Sequence, residues 1–588
     1  DLLLLNNTNP VYALPPGSGV KDALNTKSLF VVSFSNFMDE TTQHADLIFP
    51  VGLPLETWGE YEGKTGIGST LQPAMGKLTG APDIGDVFLE STFGDDLSSQ
   101  NLKTYLFQHF IRKRYIKTEK DWVKTIQQGG TFRQTLIHRS DWVAPASVTD
   151  TFNSIPKPLD TDLVFMATPS IRFFDGRGAN LSWLCEIPDP LTKISWHTPV
   201  LMHPLAMAKN GLAHGDIIEI RSKWGHLEAP VYETQMIRPN VLVMEMGQGH
   251  DFYGRYAEGM GLNPVHLFSP ESEAAFNGPG LSVHPVFVKK TGLSAQLANT
   301  DGSRIQHDRK IALSVPLDEL KHGRSHETQG LTMHDFPFTM PLPKGYDSKR
   351  DFYPPHDHET YRWGMVVDLD RCIGCAACAV ACYAENNIGV VGMKRMIEGR
   401  EMSWLRVERY HDPYRMEKVM FLPMMCQHCD NAPCESVCPV YASHHSKEGL
   451  NNQIYNRCIG TRFCSQNCPY KVRRFNWFDW EWPDPLHMQL NPNVTVRSKG
   501  VMEKCSFCIQ RIKAAHGIAK NEKRMIQDGD VVPACVQTCP TDALLFGNFM
   551  DKKSRVTKLL QDPRAYQVMG YLNTKPAVIY LKKVVQEI

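Results

Sequence analysis

The sequence predicts an α+β chain of several domains, with a partial α/β layer first, a β-barrel second and a cysteine-rich domain last. Three observations lead to this prediction. Short apolar runs open the chain, short alternating strands fill its middle, and fifteen of the sixteen cysteines lie between Cys372 and Cys539. A chain of 588 residues with 42% hydrophobic content can build several packed cores.

The first predicted domain covers residues 1–160. Residues 2–5 and 28–35 are apolar runs that predict buried strands, and such strands joined by mixed sequence favour a parallel α/β layer. Residues 45–51 are predicted to return to the edge of this sheet. From about residue 76 to 160 the aromatic-rich sequence is consistent with helices.

The second predicted domain covers residues 161–295 and is β-rich. Ile218 and Ile220 belong to an alternating run, and residues 241–244 follow as a further strand. Several short strands at this spacing favour a closed barrel over an open sheet. The nearby glycines predict a turn-rich loop more strongly than a cofactor cradle; they are Gly247, Gly249, Gly254 and Gly259.

Composition sets the remaining boundaries. Residues 296–358 are predicted to be a linker, because proline, aspartate and histidine become frequent from residue 337 onward. Residues 359–550 form the cysteine-rich domain, which residues 363–369 enter as a strand. Residues 551–588 are predicted to be a C-terminal tail.

The cysteines fall into four runs whose spacing is typical of iron-sulfur ligation. Run 1 has the C-x2-C-x2-C-x3-C spacing, in which three thiolates bind one cluster and the fourth binds its neighbour. Runs 2, 3 and 4 each end in a Cys-Pro pair. Run 1 is Cys372, Cys375, Cys378 and Cys382; run 2 is Cys426, Cys429, Cys434 and Cys438; run 3 is Cys458, Cys464 and Cys468; run 4 is Cys505, Cys508, Cys535 and Cys539.

Run 3 lacks one ligand. The template laid on Cys458 places its second ligand at residue 461, and this residue is Thr461. A hydroxyl is a poor substitute for a thiolate at iron, so we expect a three-iron cluster here and four-iron clusters elsewhere. Because the last cysteine of a run binds the other cluster of its pair, runs 1 and 4 share ligands, as do runs 2 and 3.

Four ligand sets follow, and they use each of the fifteen cysteines once. Sets I, II and III are predicted to hold [4Fe-4S] clusters and set IV a [3Fe-4S] cluster. Set I is Cys372, Cys375, Cys378 and Cys539; set II is Cys505, Cys508, Cys535 and Cys382; set III is Cys426, Cys429, Cys434 and Cys468; set IV is Cys458, Cys464 and Cys438, with Thr461 at the vacant ligand position.

Other uses of the cysteines fit less well. Structural zinc sites use four ligands, often as two CxxC pairs, and run 1 does not have that pattern. Disulfide frameworks belong to short secreted chains. Covalent haem needs C-x-x-C-H, but Asp430 follows Cys429 and Ile509 follows Cys508. Cys185 stands alone and is predicted to be a small buried side chain.

Charge and hydropathy exclude further classes. The formal net charge is zero, so nothing favours nucleic acid. The apolar runs are far shorter than the roughly 20 residues of a membrane-spanning helix, so we expect peripheral association through partners. The chain begins at Asp1 with neither an initiator Met nor a signal peptide, and we expect a further upstream part.

The basic residues near run 3 have two interpretations. They could raise the potential of a cluster by favouring the extra electron. A basic run beside aromatic residues such as those that follow run 3 is more often a solvated or docking face. The basic residues are Arg457, Arg462, Lys471, Arg473 and Arg474.

Residues 361–550 resemble the four-cluster subunits of the dimethyl sulfoxide and polysulfide reductase families. The resemblance lies in DRCIGCAACAVAC, CQHCDNAPCESVCP, CIGTRFCSQNCP, CSFC and CVQTCP. Residues 37–63 and 203–231 resemble the end of a molybdopterin oxidoreductase catalytic subunit, the second stretch its double-psi β-barrel. The resemblance implies a partial molybdopterin-oxidoreductase-like layer, a double-psi barrel and a double ferredoxin-like domain.

The fusion of these parts, together with Thr461, resembles the large iron-sulfur subunit of alternative complex III. This resemblance implies a relay of electrons from membrane quinol toward cytochrome c, with no substrate-turnover site in this chain and no catalytic residue. Polytopic quinol-binding subunits and multihaem and monohaem cytochrome c subunits are the implied partners. Molybdopterin is implied to be absent, and the implied location is the periplasmic side of the membrane.

A second function remains open at this point. The chain could be a fused molybdopterin-dependent reductase of the polysulfide or dimethyl sulfoxide type, whose metal ligand lies upstream of Asp1. A zinc-stabilised scaffold without redox function is disfavoured, because the four sets account for every cysteine of the runs.

Overall fold

The computed structural model describes residues 1–64, 66–94, 101–132, 163–270, 283–307, 309–321, 356, 358–412 and 418–586. The chain forms two compact units. Unit 1 comprises Asp1–Thr168, Glu219–Glu228 and Met244–Val288; unit 2 comprises Pro169–Ile218, Ala229–Val243 and Lys289–Ile588.

Unit 1 begins with the predicted parallel α/β layer. Strands Leu2–Asn6, Phe30–Phe34 and Leu47–Phe49 pair in parallel in that order. Short helices Pro10–Ala13 and Val20–Leu24 connect the first two strands. The first strand is not buried as predicted, because it lies at the edge of the sheet and its leucines alternate between half-buried and exposed positions.

Helices dominate the next part of unit 1, as predicted. Ile84–Phe93, Leu102–Arg112 and Glu119–Gln128 are α-helices. Phe110 and Trp122 pack edge to face in their shared core, with ring centroids 5.3 Å apart. Residues 133–160 of the predicted helical region lie outside the described residues. The other strands here are Gly59–Lys64, Ile67–Leu71 and Gly130–Phe132, which form an antiparallel sheet.

The predicted β-rich region contains the expected strands. Its strands are Val164–Thr168, Ile194–Ser195, Val200–Met202, Asp216–Arg221, His226–Glu233, Val241–Glu245, Val283–Pro285 and Phe287–Ser294. Helices Ser182–Glu186 and Pro204–Lys209 interrupt them. Within unit 2, Val231 pairs in parallel with Val200, and Val243 pairs antiparallel with Leu201. The mixed pairing agrees with a barrel-type sheet, and closure into a double-psi barrel stays a prediction.

The glycine-rich loop of unit 1 packs on itself. Gly249 has φ +80, and a Cβ there would meet the backbone at Leu262 and Asn263. The His250 ring stacks between Tyr12 and Tyr253, with centroids 3.7 Å and 4.7 Å away. The chain's own aromatic rings thus pack around His250, and the choice between a turn-rich loop and a cofactor cradle stays a prediction.

The predicted linker carries secondary structure in its first part. Strands Ala298–Asn299 and Ser314–Pro316 and helix Leu317–Lys321 lie within residues 296–321. Ser314–Pro316 pairs in parallel with Lys583–Val585. This pairing corrects the linker prediction for these residues; residues 322–355 and 357 lie outside the described residues.

A four-stranded sheet supports the cysteine-rich domain. Trp363–Asp368 pairs antiparallel with Leu544–Asn548 and parallel with Val578–Leu581, which in turn pairs with Ala565–Tyr566. Val578–Leu581 is wholly buried. Residues 551–588 are therefore not a tail, because their apolar strand completes the central sheet of the domain.

Short helices and hairpins carry the cysteine runs on this sheet. The hairpins are Arg406–His411 with Val419–Met424, Ser443–His445 with Asn451–Gln453, and Arg474–Phe475 with Met502–Glu503. The α-helices are Ala377–Glu385, Met393–Ile397, Pro433–Ser436, Phe463–Asn467, Ile509–Asn521, Ala534–Thr538 and Arg555–Leu559. No helix of the described residues is both long and apolar enough to span a membrane.

Candidate iron-sulfur centres

The four runs share one local backbone turn. The second residue after the first cysteine of each run has a positive φ: Gly374 (75°), His428 (45°), Gly460 (74°) and Phe507 (55°). A Cβ on Gly374 would lie 2.6 Å from the Phe421 ring, so this position also needs glycine for space. Run 3 therefore folds like the other runs, and Thr461 occupies the position of a ligand in an otherwise ordinary turn.

Helix pairs bring the runs together in the predicted combinations. Helix Ala377–Glu385 of run 1 packs against helix Ala534–Thr538 of run 4. Helix Pro433–Ser436 of run 2 packs against helix Phe463–Asn467 of run 3. Cys382 and Cys539 lie near the first cysteines of the partner run, and Cys468 lies near those of run 2, as ligand exchange requires; a position of Cys438 beside Cys458 and Cys464 stays a prediction.

Electrostatic coupling identifies which thiols are neighbours in sets I and II. Cys378 interacts with Cys372, Cys375 and Cys539, and burial followed by these neighbours raises its pKa. Cys535 interacts with Cys508, Cys505 and Cys382, and its pKa is likewise raised, mainly by burial. These neighbours are the members of sets I and II.

Set III lines a single cavity. The four thiols of the set face this cavity together with His428, Tyr470 and Arg473. The pKa of Cys434 is raised to about 11, chiefly by burial; Arg473 lowers it, and Cys426 and Cys468 raise it. Four facing thiols of this kind would be costly as thiolates unless a cation bound them, so this donor set fits an iron-sulfur cluster.

Set IV is partly exposed. Cys438 and Cys458 are half-buried, whereas Cys464 is buried and Thr461 is exposed. The backbone N–H of Ala442 donates to Cys438 Sγ at 3.2 Å, and that of Met502 donates to Cys458 Sγ at 3.4 Å. Such bonds stabilise thiolates and raise the potential of a bound cluster.

The last cysteine of set I accepts the same kind of backbone hydrogen bond as Cys438 does. The backbone N–H of Ala543 donates to Cys539 Sγ at 3.2 Å, four residues along, as Ala442 does to Cys438. The Cys-Pro ends of runs 2 and 4 thus have the same local geometry. In set II, the backbone N–H of Phe507 donates to Cys505 Sγ at 3.4 Å, and Asn386 Nδ2 donates to Cys382 Sγ at 3.5 Å.

The sets follow one another in the order I, II, III, IV. Cys378 of set I interacts electrostatically with Cys382 and Cys535 of set II. Cys505 of set II interacts with Cys426 of set III. Arg473 interacts with Cys434 of set III and with Cys464 of set IV. Successive sets in this order therefore have members that interact electrostatically with a common neighbour or with each other.

The exposure of the thiols differs between the terminal sets, I and IV, and the middle sets, II and III. All thiols of sets II and III are buried, whereas the half-buried thiols belong to the terminal sets: Cys372, Cys375 and Cys539 in set I, and Cys438 and Cys458 in set IV. Exposed apolar side chains lie beside both ends. Ile373 is 56% exposed next to Cys372, and Ile459 is 65% exposed next to Cys458.

Two further observations concern single-ion metal sites and the remaining cysteine. In the parts of the chain that the structure describes, no group of three or more His, Cys, Asp or Glu is arranged to hold a single metal ion. Cys185 is buried and donates to the Ala179 carbonyl at 3.4 Å, and burial raises its pKa to about 12. The prediction of a small buried side chain at Cys185 is confirmed.

Sequence reasoning missed Asn386, and it named Arg473 only as one of five basic residues near run 3. Arg473 and Asn386 contact cysteines directly, yet nothing in the ligand spacing identifies them. A basic residue five positions after Cys468 is the available signal for Arg473, and it does not separate this residue from Arg474.

Three family models match parts of the chain. The molydopterin dinucleotide binding domain matches residues 188–275, and two 4Fe-4S dicluster domains match residues 371–442 and 417–482. The dicluster matches support [4Fe-4S] clusters in the cysteine-rich domain.

Several curated iron-sulfur subunits are similar to part of the chain. The menaquinone reductase iron-sulfur cluster-binding subunit of Nitratidesulfovibrio vulgaris is 42% identical over 228 residues, which are 38% of this chain and 89% of that protein. The Hdr-like menaquinol oxidoreductase iron-sulfur subunit 1 of Archaeoglobus fulgidus is 34% identical over 39% of this chain and 86% of its own. The arsenate respiratory reductase iron-sulfur subunit of a Shewanella species is 30% identical over 38% and 96%, respectively.

Proposed function

Since this chain belongs to the family of electron-transfer iron-sulfur subunits of membrane-associated reductase complexes, we propose that it relays electrons from membrane quinol through three [4Fe-4S] clusters and one [3Fe-4S] cluster. The observation that carries the proposal is the order of the sets, with buried thiols in the middle and half-buried thiols at both ends. Such an order suits one site of electron entry and one of exit.

Sets I to IV are the proposed ligands. The clusters supply one-electron redox chemistry, and this chain's residues hold, space and insulate them. Buried side chains of sets II and III keep water from the middle of the relay, while backbone N–H groups at Cys438, Cys458 and Cys539 favour the reduced state. No proton transfer by this chain is needed.

Set IV is the proposed entry point. Thr461 leaves this set with three thiolates, and three-iron clusters usually have higher potentials than low-potential cubanes, which suits an acceptor from quinol. Ile459, Phe463 and Tyr441 are 65%, 59% and 60% exposed beside set IV. An apolar surface beside a half-buried site is suited to docking a partner. We assign this surface to a polytopic quinol-binding subunit.

The remaining parts of the proposal follow from the resemblance to alternative complex III. Electrons leave toward multihaem and monohaem cytochrome c subunits, and the chain is peripheral on the periplasmic side. The molybdopterin-like domain acts as a scaffold without its cofactor. The fused molybdopterin-dependent reductase is the second candidate, and the match of residues 188–275 to a molydopterin dinucleotide binding domain favours it.

Metal analysis and low-temperature EPR of the purified protein test the proposal. We expect about fifteen iron atoms, no molybdenum and a three-iron signal in the oxidised protein. T461C should convert set IV to a four-iron cluster and abolish that signal, while T461S should retain it. Stoichiometric molybdenum would instead support the reductase, and sixteen irons without the three-iron signal would refute the role of Thr461.

A further inference from the structure

Among the described residues of unit 2, four arginines are buried, and three of them pair with a carboxylate. The three pairs are Arg362 with Asp430 (2.9 Å), Arg409 with Asp301 (2.8 Å) and Arg497 with Glu503 (2.9 Å). Arg473 is only 3% exposed and makes no ion pair with any carboxylate of the described residues. A buried guanidinium without a counter-charge is costly, so its charge must be compensated by other groups.

The neighbours of the Arg473 guanidinium are cysteines of two different sets. Its Nη1 donates to Cys434 Sγ of set III at 3.4 Å. It also interacts electrostatically with Cys464 of set IV and with Cys426 of set III. Iron-bound cysteines are thiolates, so the counter-charge of Arg473 is that of the two clusters.

Neighbouring side chains hold the Arg473 guanidinium against the cysteines. Arg473 Nη1 also donates to Asn451 Oδ1 at 3.2 Å, and Nη2 donates to Gln453 Oε1. The nearby carboxylate of Glu435 is already engaged, because His445 Nδ1 lies 2.5 Å from its Oε1 and Asn451 Nδ2 donates to the same oxygen. The two amides therefore orient the guanidinium without neutralising its charge.

We propose that Arg473 is a positioning residue that supplies one fixed positive charge to sets III and IV and raises the reduction potentials of both clusters together. The inference rests on the proposed relay. An added electron makes a cluster more negative, and a cation at hydrogen-bond distance in a buried, low-dielectric site stabilises that state. Because one charge serves both sets, the two potentials move in parallel and the step between them stays close to balanced.

The other basic residues around run 3 differ from Arg473. Arg474 is neutralised by Glu401. Arg462 is exposed and lies over the Phe475 and Trp477 rings, at 5.2 Å and 5.0 Å. The structure thus shows that these basic residues have different partners, which the sequence does not reveal. Of these three arginines, Arg473 is the residue that contacts the cysteines.

The test is redox titration of the full chain, with the potentials of clusters III and IV read by EPR. R473Q removes the charge and R473K retains it, while R474Q removes the same formal charge from the adjacent, neutralised position. In R473Q we expect the equilibrium constant for reduction of each of the two clusters to fall at least tenfold. This fall lowers each one-electron reduction potential by about 59 mV. R473K and R474Q should stay within threefold of the wild type.

Iron content and the wild-type EPR spectrum are measured first, because a wild type without clusters would refute the relay itself. Full iron in R473Q with unchanged potentials, or a fall in only one of the two, would overturn the role of Arg473 and leave the relay intact. If R473Q fails to assemble its clusters, the reduction potentials of R473K test the proposal in its place. Potentials retained in R473K support the fixed charge, and a tenfold fall in both overturns it.

Discussion

Glu186 is a buried carboxylate that forms no ion pair within the part of the chain that the structure describes, and its titration should destabilise the folded protein at neutral pH. The side chain is 1% exposed at the end of helix Ser182–Glu186. It accepts hydrogen bonds from the backbone N–H of Val391 (3.0 Å) and Gly392 (3.2 Å) and from Trp196 Nε1 (3.0 Å). Burial outweighs these bonds and raises the pKa of Glu186 to about 7.

The size of the effect follows from this pKa. The usual value of 4.5 applies in the unfolded chain, and a rise to about 7 corresponds to about 3 kcal/mol. Because the folded state holds the proton more tightly, the stabilisation is complete below pH 4.5 and is lost as the pH rises through 7. E186Q is neutral at every pH, so its stability relative to the wild type should rise by about 3 kcal/mol across this window.

Two measurements check the prediction for Glu186. Infrared spectroscopy should detect a protonated carboxyl band that titrates with a midpoint near pH 7 and is absent from E186Q. Thermal unfolding should show that E186Q gains stability over the wild type as the pH rises. The reasoning would be refuted by a carboxyl that titrates near 4.5, or by identical pH dependence of the two proteins.

Three further changes have defined outcomes. G364A places a Cβ against the Phe549 ring, so we expect a loss of about 1–3 kcal/mol and a lower unfolding temperature; an unchanged temperature would contradict the packing. T118A removes the capping box of helix Glu119–Gln128 and should cost about 1 kcal/mol in denaturant unfolding, an effect that T118S should restore. I459E should weaken binding to the membrane partner in pull-down assays, whereas I518E, on a similarly exposed residue of the same domain, should not; equal loss in both would refute docking at set IV.

The spacing of cysteines predicts much of the candidate site. Ligand spacing is local, because a thiolate must follow its neighbour within one turn, and the repeated positive φ at Gly374 and Gly460 shows the same local turn in runs 1 and 3. The pairing of runs 1 and 4 and of runs 2 and 3 also follows from a local rule, and the helix contacts agree with it. The alternation of apolar and polar residues predicted the strands of the barrel region for the same reason, because this pattern is also a local property of the sequence.

Predictions failed where the outcome depended on distant partners. Residues 2–5 are apolar enough for a buried strand, but Leu2 lies on an edge strand and is 64% exposed. The segment Val578–Leu581 has the composition of a strand, yet only its pairing with Trp363–Asp368 shows that it completes the central sheet. Sequence composition cannot reveal which edge a strand occupies, because that depends on which other strands pair with it.

The sequence alone determined the kind of chemistry, since the type, number and spacing of the cysteines and the threonine at 461 are properties of neighbouring residues. Only the tertiary structure decided the order of the sets, which thiols are half-buried and which arginine lacks a carboxylate. Arg473 and Arg474 are adjacent in the chain but have different partners. Arg473 contacts a cysteine, whereas Arg474 pairs with Glu401. Electrostatic energy depends on distance and burial in space, and a linear sequence contains neither.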